Sequence, residues 1–210
     1  MAAFIDFVLY QLPQPPGRVL EIGCGPEGGL VTALVEAGYD VLGVDPRAPA
    51  GERFVQARFE EVDLGAFDAV VAERVLHHVD PLGAGLERLA AAAPLVLVDE
   101  FAWDLLDEPA QEWYEGQYRL LRAAGVQPPG PPSLDEWRER HAGELHPHGL
   151  LLAALRERWQ ETALEWVPYL HRWLGGPASE GLEEALTGAG AFPAIGWRWA
   201  GSRHPVAASG

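Results

Sequence analysis

The sequence predicts an α/β fold with a doubly wound, mostly parallel sheet, and three observations predict it. Predominantly apolar runs of strand length, interrupted only by Glu21 and Gly43, recur at 19–22, 41–44, 69–72 and 95–98. Stretches of helical spacing separate them, and continuous rather than alternating apolar runs are what strands buried on both faces require. The runs end in glycine or an acid (Gly23, Asp45, Glu73, Asp99-Glu100), the place where open α/β sheets bind ligands.

The elements follow in order. Residues 2–12 form an amphipathic helix candidate with Phe4, Ile5, Val8 and Leu9 on one face, stopped by Pro13, Pro15 and Pro16 and expected to pack over a ligand edge. The first strand, 19–22, runs into Gly23-Cys24-Gly25, a turn whose missing side chains let backbone N–H groups approach a ligand. Leu30, Ala33, Leu34 and Ala37 recur at helical spacing up to Gly38, a natural residue just past a helix end, and the second strand then leads to Asp45-Pro46. A third strand is expected at 54–57. Asp80 and Pro81 read as N-cap and first residue of a helix through Leu82, Leu86 and Leu89, closed by Pro94.

Residues 101–176 differ in kind. Asp107-Glu108-Pro109 opens a helix carrying Trp113, Tyr114 and Tyr118 up to Gly125; prolines at 128, 129, 131 and 132 break the chain; Ser133 and Glu136 form a capping box. Helices are expected near 149–159 and 168–174, with 160–166 unassigned. A helix at 179–188 and a strand at 194–199 close the pattern.

Gly23-x-Gly25-x-x-Gly28 matches a dinucleotide fingerprint, and Asp45 stands 22 residues after Gly23, about where the ribose-binding acid belongs. Glu21, two residues before the first glycine, favours another assignment: 21–25 resembles the E-x-G-C-G motif of class I S-adenosylmethionine-dependent methyltransferases. FDAVVAERVLHHV at 67–79 resembles the fourth-strand motif of that superfamily, and PLVLVDE at 94–100 its fifth strand. The whole pattern is similar to bacterial methyltransferase-domain proteins.

The resemblance implies a Rossmann-like methyltransferase fold in one domain. Its core would be residues 17–101 and 178–210, with a helical substrate lid inserted at 102–177 after strand five. Little chain remains beyond 199, so the C-terminal sheet is expected to be shortened, with any seventh strand limited to 205–208.

The implied cofactor is S-adenosylmethionine. Gly23, Cys24, Gly25 and Gly28 would meet its methionine part, with Glu21 orienting the turn or reaching the amino group through water. Asp45, beside Pro46, would accept both ribose hydroxyls. Phe59 and Glu60 stand where relatives read the adenine ring, while Ala72 and Glu73 would face the methionine end. Glu27 occupies the place of the superfamily's usual third glycine, so Gly28 takes that role. Cys24 is expected to be a small packing residue, because nothing beside it would activate a thiol.

For the chemistry, Glu100 is the first candidate for a general base and His77 the second, His77-His78 offering imidazoles of which one is structural. The implied acceptor is a small apolar or aromatic molecule, O-methylation being favoured. The aromatic residues of 103–173 would form either the core of a small helical layer or the acceptor pocket. A nicotinamide-dependent oxidoreductase and a cofactor-binding protein without turnover remain the alternatives.

Composition sets bounds. Fifteen Lys and Arg against 31 Asp and Glu give a formal charge of −16, which opposes binding to a phosphate backbone. All fifteen basic residues are Arg, a pattern of codon bias rather than of function. The single cysteine allows no internal disulfide and fits a reducing, cytoplasmic setting. No apolar run approaches membrane-spanning length. His141, His146 and His148 lack carboxylate or Cys partners at fixed spacing, so no metal is expected.

Overall fold

The structure, a computed structural model, describes residues 4–203. Five strands form in the expected places: β1 (Arg18–Ile22), β2 (Asp40–Val44), β3 (Phe54–Val55), β4 (Ala69–Glu73) and β5 (Leu95–Phe101). Their pairings are parallel, with Ile22 opposite both Val44 and Ala72, and Ala72 opposite Val98. The C-terminal ends of β1, β2 and β4 therefore lie level, which brings Gly23, Asp45 and Glu73 to one edge.

Two further strands, β6 (Gln160–Val167) and β7 (Gly196–Ser202), complete a seven-stranded sheet in the order β3-β2-β1-β4-β5-β7-β6. β7 runs against β5, because Arg203 donates to the Pro94 carbonyl at 2.8 Å and Ala102 to that of Ile195 at 2.6 Å. This corrects the expected shortening of the sheet. The unassigned segment 160–166 is a strand, so the region after β5 is not wholly helical; residues 205–208 lie outside those described.

The chain divides into two compact units. One comprises the chain up to Glu100, Gly149–Leu164 and the chain from Arg198; the other comprises Phe101–His148 and Glu165–Trp197. The division cuts across the expected insertion, since α6 (His148–Arg156) and most of β6 cluster with the first unit and α8 (Pro177–Gly188) with the second.

In the first unit α1 (Phe4–Gln11) and α2 (Val31–Glu36) cover one sheet face, where Phe4, Phe7, Val8, Val31 and Leu34 pack on Val19, Val41, Val71 and Leu97. Phe7 replaces Leu9 on the buried face of α1, Leu9 being 37 % exposed. That helix packs its apolar face into the core of the first unit. Leu20, Ile22, Val70 and Val96 point the opposite way by strand parity and are equally buried, so both faces are covered. α3 (Leu82–Ala92) buries Leu86 and Leu89; its N-cap is Pro81 with no side-chain cap, not Asp80. Arg198 on β7 is buried beside Asp99 on β5, 3.6 Å apart.

The second unit has its own core, in which Phe101 stacks on Tyr169 with ring centroids 4.7 Å apart and Trp137 and Trp173 pack around them. α4 (Glu108–Ala123) is capped by Asp107 and α5 (Leu134–His141) by Ser133, as the spacing predicts. Gly130 lies so close to α7 (His171–Leu174) that a Cβ there would stand 2.3 Å from that of Trp173. Glu183 on α8 is buried and accepts from the N–H groups of Tyr169, Leu170 and His171 at 2.7–2.9 Å, fixing the entry to α7. Among the described residues, no helix is long and apolar enough to cross a membrane.

Candidate functional site

The turn after β1 is built by a buried acid and by glycine. Glu21 points into the protein, where its carboxylate accepts from the Leu30 N–H at 2.9 and 3.0 Å and so anchors the far end of the turn. Burial pushes its pKa up to about 8; the Leu30 hydrogen bond opposes that shift and the charge of Glu73 adds to it. Gly29, at φ +53°, is needed because a Cβ would stand 2.0 Å from that carboxylate. Gly23, at φ +80°, donates to the Val44 carbonyl at 3.0 Å, and a Cβ there would meet the Glu73 carbonyl oxygen at 2.8 Å.

The turn, β2 and β4 enclose two chambers. The larger, about 520 Å³, is walled by the turn residues 23–27, 29 and 30, with Glu73, Arg74 and Arg47. The smaller, about 170 Å³, is walled by Pro46, Arg58, Phe59, Glu60 and Val79. Gly23, Asp45, Val75 and His78 line both, which places Asp45 between them. Its carboxylate is held by the Arg47 N–H at 2.7 Å. Gly25, at φ +63°, has open space where a Cβ would be, so bare backbone faces the larger chamber.

These features fit an elongated ligand with a diol at its centre. A charged carboxylate stands at the waist, bare backbone faces one end, and apolar groups (Phe59 and Val79) line the other.

The structure brings together most of the residues named from sequence, and leaves some apart. Gly23, Cys24, Gly25, Asp45 and Glu73 line the larger chamber, and Pro46, Phe59 and Glu60 the smaller. Glu60 is paired with Arg58 at 3.1 Å. Gly28 packs against Phe54 instead, and Gly29 takes its place in the chamber wall. Glu21 and Ala72 are fully buried behind the wall. Cys24 is buried, its thiol pushed up to about 12 by desolvation and by the carboxylates of Glu21 and Asp45.

The two base candidates are not on the chamber walls. Glu100 is fully buried; one oxygen accepts from the N–H groups of Leu76 at 2.7 Å and His77 at 3.3 Å, the other lies 2.6 Å from His77 Nδ1. This pair organises the 3-10 turn Leu76–His78 from within. The imidazole presented to both chambers belongs to His78. Sequence reasoning also passed over Arg74, whose φ of +51° signals a special position that no pattern in the sequence announces.

Comparison with known proteins shows the family and the fold. The profile of a family described as methyltransferase domain matches residues 1–143. A comparison with curated proteins gives no match. Among solved structures, an S-adenosylmethionine-dependent methyltransferase from Mesorhizobium loti is 18 % identical with a TM-score of 0.58, covering 96 % of this chain and 98 % of its own. A putative enzyme of the same description from Listeria monocytogenes is 14 % identical with the same TM-score and the same coverages. Magnesium protoporphyrin IX methyltransferase of Synechocystis PCC 6803, a structure with bound SAH, is 16 % identical with a TM-score of 0.55, covering 95 % and 80 %. These likenesses establish the shared fold, and with the profile match over two thirds of its length the chain belongs to the methyltransferase-domain family, within the class I S-adenosylmethionine-dependent methyltransferases.

Proposed function

We propose that the double chamber binds S-adenosylmethionine and that the protein transfers its methyl group to a small-molecule acceptor. The observation that carries this reading is the position of Asp45, a carboxylate fixed at the waist between a chamber walled by bare backbone and charged side chains and a smaller one with apolar groups. Asp45 would accept the ribose hydroxyls, and Phe59 and Val79 would flank the adenine. Glu60, already engaged with Arg58, would sit at its edge. The Gly23–Gly25 backbone would run along the methionine part.

When bound, the cofactor supplies a methyl group on a sulfonium, open to in-line displacement. The protein's share is to hold donor and acceptor aligned, which alone accounts for a large part of such a barrier. The larger chamber exceeds what a methionine tail fills, which leaves room for a small acceptor. Its wall carries Glu27, Glu73, Arg74 and Arg47 beside Pro26, Leu30 and Val75, a mixed lining that takes a small molecule with both polar and apolar parts. Most aromatic residues of 101–176 are engaged in the core of the second unit. O-methylation of a hydroxyl or carboxyl group remains the favoured chemistry, and a proton leaving the acceptor would pass to His78, the imidazole on the wall.

Thermal shift with S-adenosylhomocysteine, NAD and NADP tests the reading. S-adenosylhomocysteine alone is expected to raise the melting temperature, by an amount that grows with its concentration. Stabilisation by NAD or NADP instead would transfer the site to hydride chemistry.

A further inference from the structure

One carboxylate in the wall of the larger chamber has no part in the cofactor reading. Gly28 donates to the Gly25 carbonyl at 3.3 Å, so Pro26 and Glu27 are the central residues of a hydrogen-bonded turn. Proline presets the backbone at the first of these positions, and the two glycines that follow, at φ +84° and +53°, carry the chain back towards α2. Glu27 is thereby held, exposed, at a fixed corner of the chamber wall. The other charges of that wall are already engaged. Glu73 is paired with Arg74, and the Asp45 carboxylate accepts from the Arg47 N–H at 2.7 Å and lies 4.0 Å from its guanidinium. Among the described residues, the Glu27 carboxylate has no such partner. Three carboxylates against two guanidiniums leave the wall one negative charge in excess, and the excess sits on Glu27.

An acceptor in this chamber therefore meets one uncompensated charge, and the formal charge of −16 on the chain adds a field of the same sign. We propose that the acceptor is a small molecule carrying a protonated amine, and that Glu27 selects it by holding that amine. The proposal rests on the reading of the double chamber as a methyl-transfer site. The ammonium is not the group methylated, because its nitrogen has no lone pair with which to attack. It orients the molecule, and a hydroxyl elsewhere on it stays free to react. An acceptor bearing a carboxylate instead would meet Glu27 as a like charge, while the guanidiniums that could offset the repulsion are already paired. An exposed carboxylate acts through charge more than through tight geometry, so the discrimination is moderate and weakens as salt is added.

The test measures binding of matched probes to protein first saturated with S-adenosylhomocysteine, by ligand-observed NMR titration at low salt. Tyramine is compared with 4-hydroxyphenylacetate, and ethanolamine with glycolate; each pair shares a hydroxyl and differs in the sign of its other end. The wild type is expected to prefer the amine of each pair. Glu27→Gln should lower the amine-to-acid ratio by about three- to fivefold, the range of an exposed ion pair, while S-adenosylhomocysteine affinity stays within about twofold. Glu36→Gln makes the same change of charge on the last turn of α2, outside both chamber walls, and should leave the ratio as it is. The proposal is overturned if neither amine binds, if the acids bind as well as the amines, if Glu27→Gln keeps the full ratio or loses S-adenosylhomocysteine, or if Glu36→Gln lowers the ratio equally. Failure of the wild type to bind S-adenosylhomocysteine in the first step would overturn the site reading itself, and the acceptor class with it.

Discussion

Glu21 shows how a motif residue can shape a chamber from behind its wall. Its carboxyl group is buried against the Leu30 N–H, and that burial pushes its pKa from the ordinary carboxylate range up to about 8. A raised value in the folded state means that the native chain keeps a proton which the unfolded chain releases. Stability contributed by Glu21 is therefore complete below about pH 4.5, falls as the pH rises towards 8, and is level above that. Glu21→Gln removes the titration. The melting temperature of the variant relative to wild type should rise between pH 5 and pH 9, by about 4 °C or more, as even 1–2 kcal/mol moves a chain of this size that far. A difference that stays flat across that range, followed by differential scanning fluorimetry, would mean that Glu21 is ionised in the folded protein throughout.

At the scale of elements, the 3-10 turn Leu76–His78 is held from inside by a strand neighbour. Glu100 on β5 gathers two backbone N–H groups and the His77 ring, so its removal strands three buried donors. Glu100→Ala should lower unfolding free energy by about 3 kcal/mol in urea titration with an unchanged m-value, and Glu100→Gln by less because an acceptor oxygen remains. A residue acting only as a catalytic base would leave the stability untouched.

This turn also marks the limit of what the sequence discloses. The strands β1, β2, β4 and β5 were legible because both their faces are buried, which forces continuous apolar runs. β6 was not, because it is an edge strand. Its Gln160–Trp166 stretch mixes exposed and half-buried positions and shows neither a run nor a clean alternation. The positions of Gly23, Asp45 and Glu73 followed from strand ends alone. The role of Glu100 did not, since a carboxylate at a strand end can face a ligand or turn back onto a neighbouring loop. Contacts 23 and 24 residues away decide which. Arg74 was invisible for a related reason: nothing local in an E-R-V step calls for a left-handed residue, and the constraint comes from the Asp99 carbonyl on another strand.

At the scale of the whole molecule, the seven-stranded sheet removes one argument for a cofactor-binding protein without turnover, the supposed loss of its C-terminal strands. The acidic balance of the chain is not spread evenly over its function. The larger chamber combines Glu27, Asp45 and Glu73 with Arg47 and Arg74, a mixed lining suited to a ligand that itself carries both charges. The central claim is that Asp45 holds a ribose at the waist of that double chamber. Calorimetric titration of the wild type and Asp45→Ala with S-adenosylhomocysteine tests it most directly. The account predicts one site per chain, weakened at least about tenfold by the substitution, because charge-assisted hydrogen bonds to two hydroxyls are together worth on the order of 2–3 kcal/mol. Equal affinity in a folded Asp45→Ala protein, or no binding by the wild type, would contradict it.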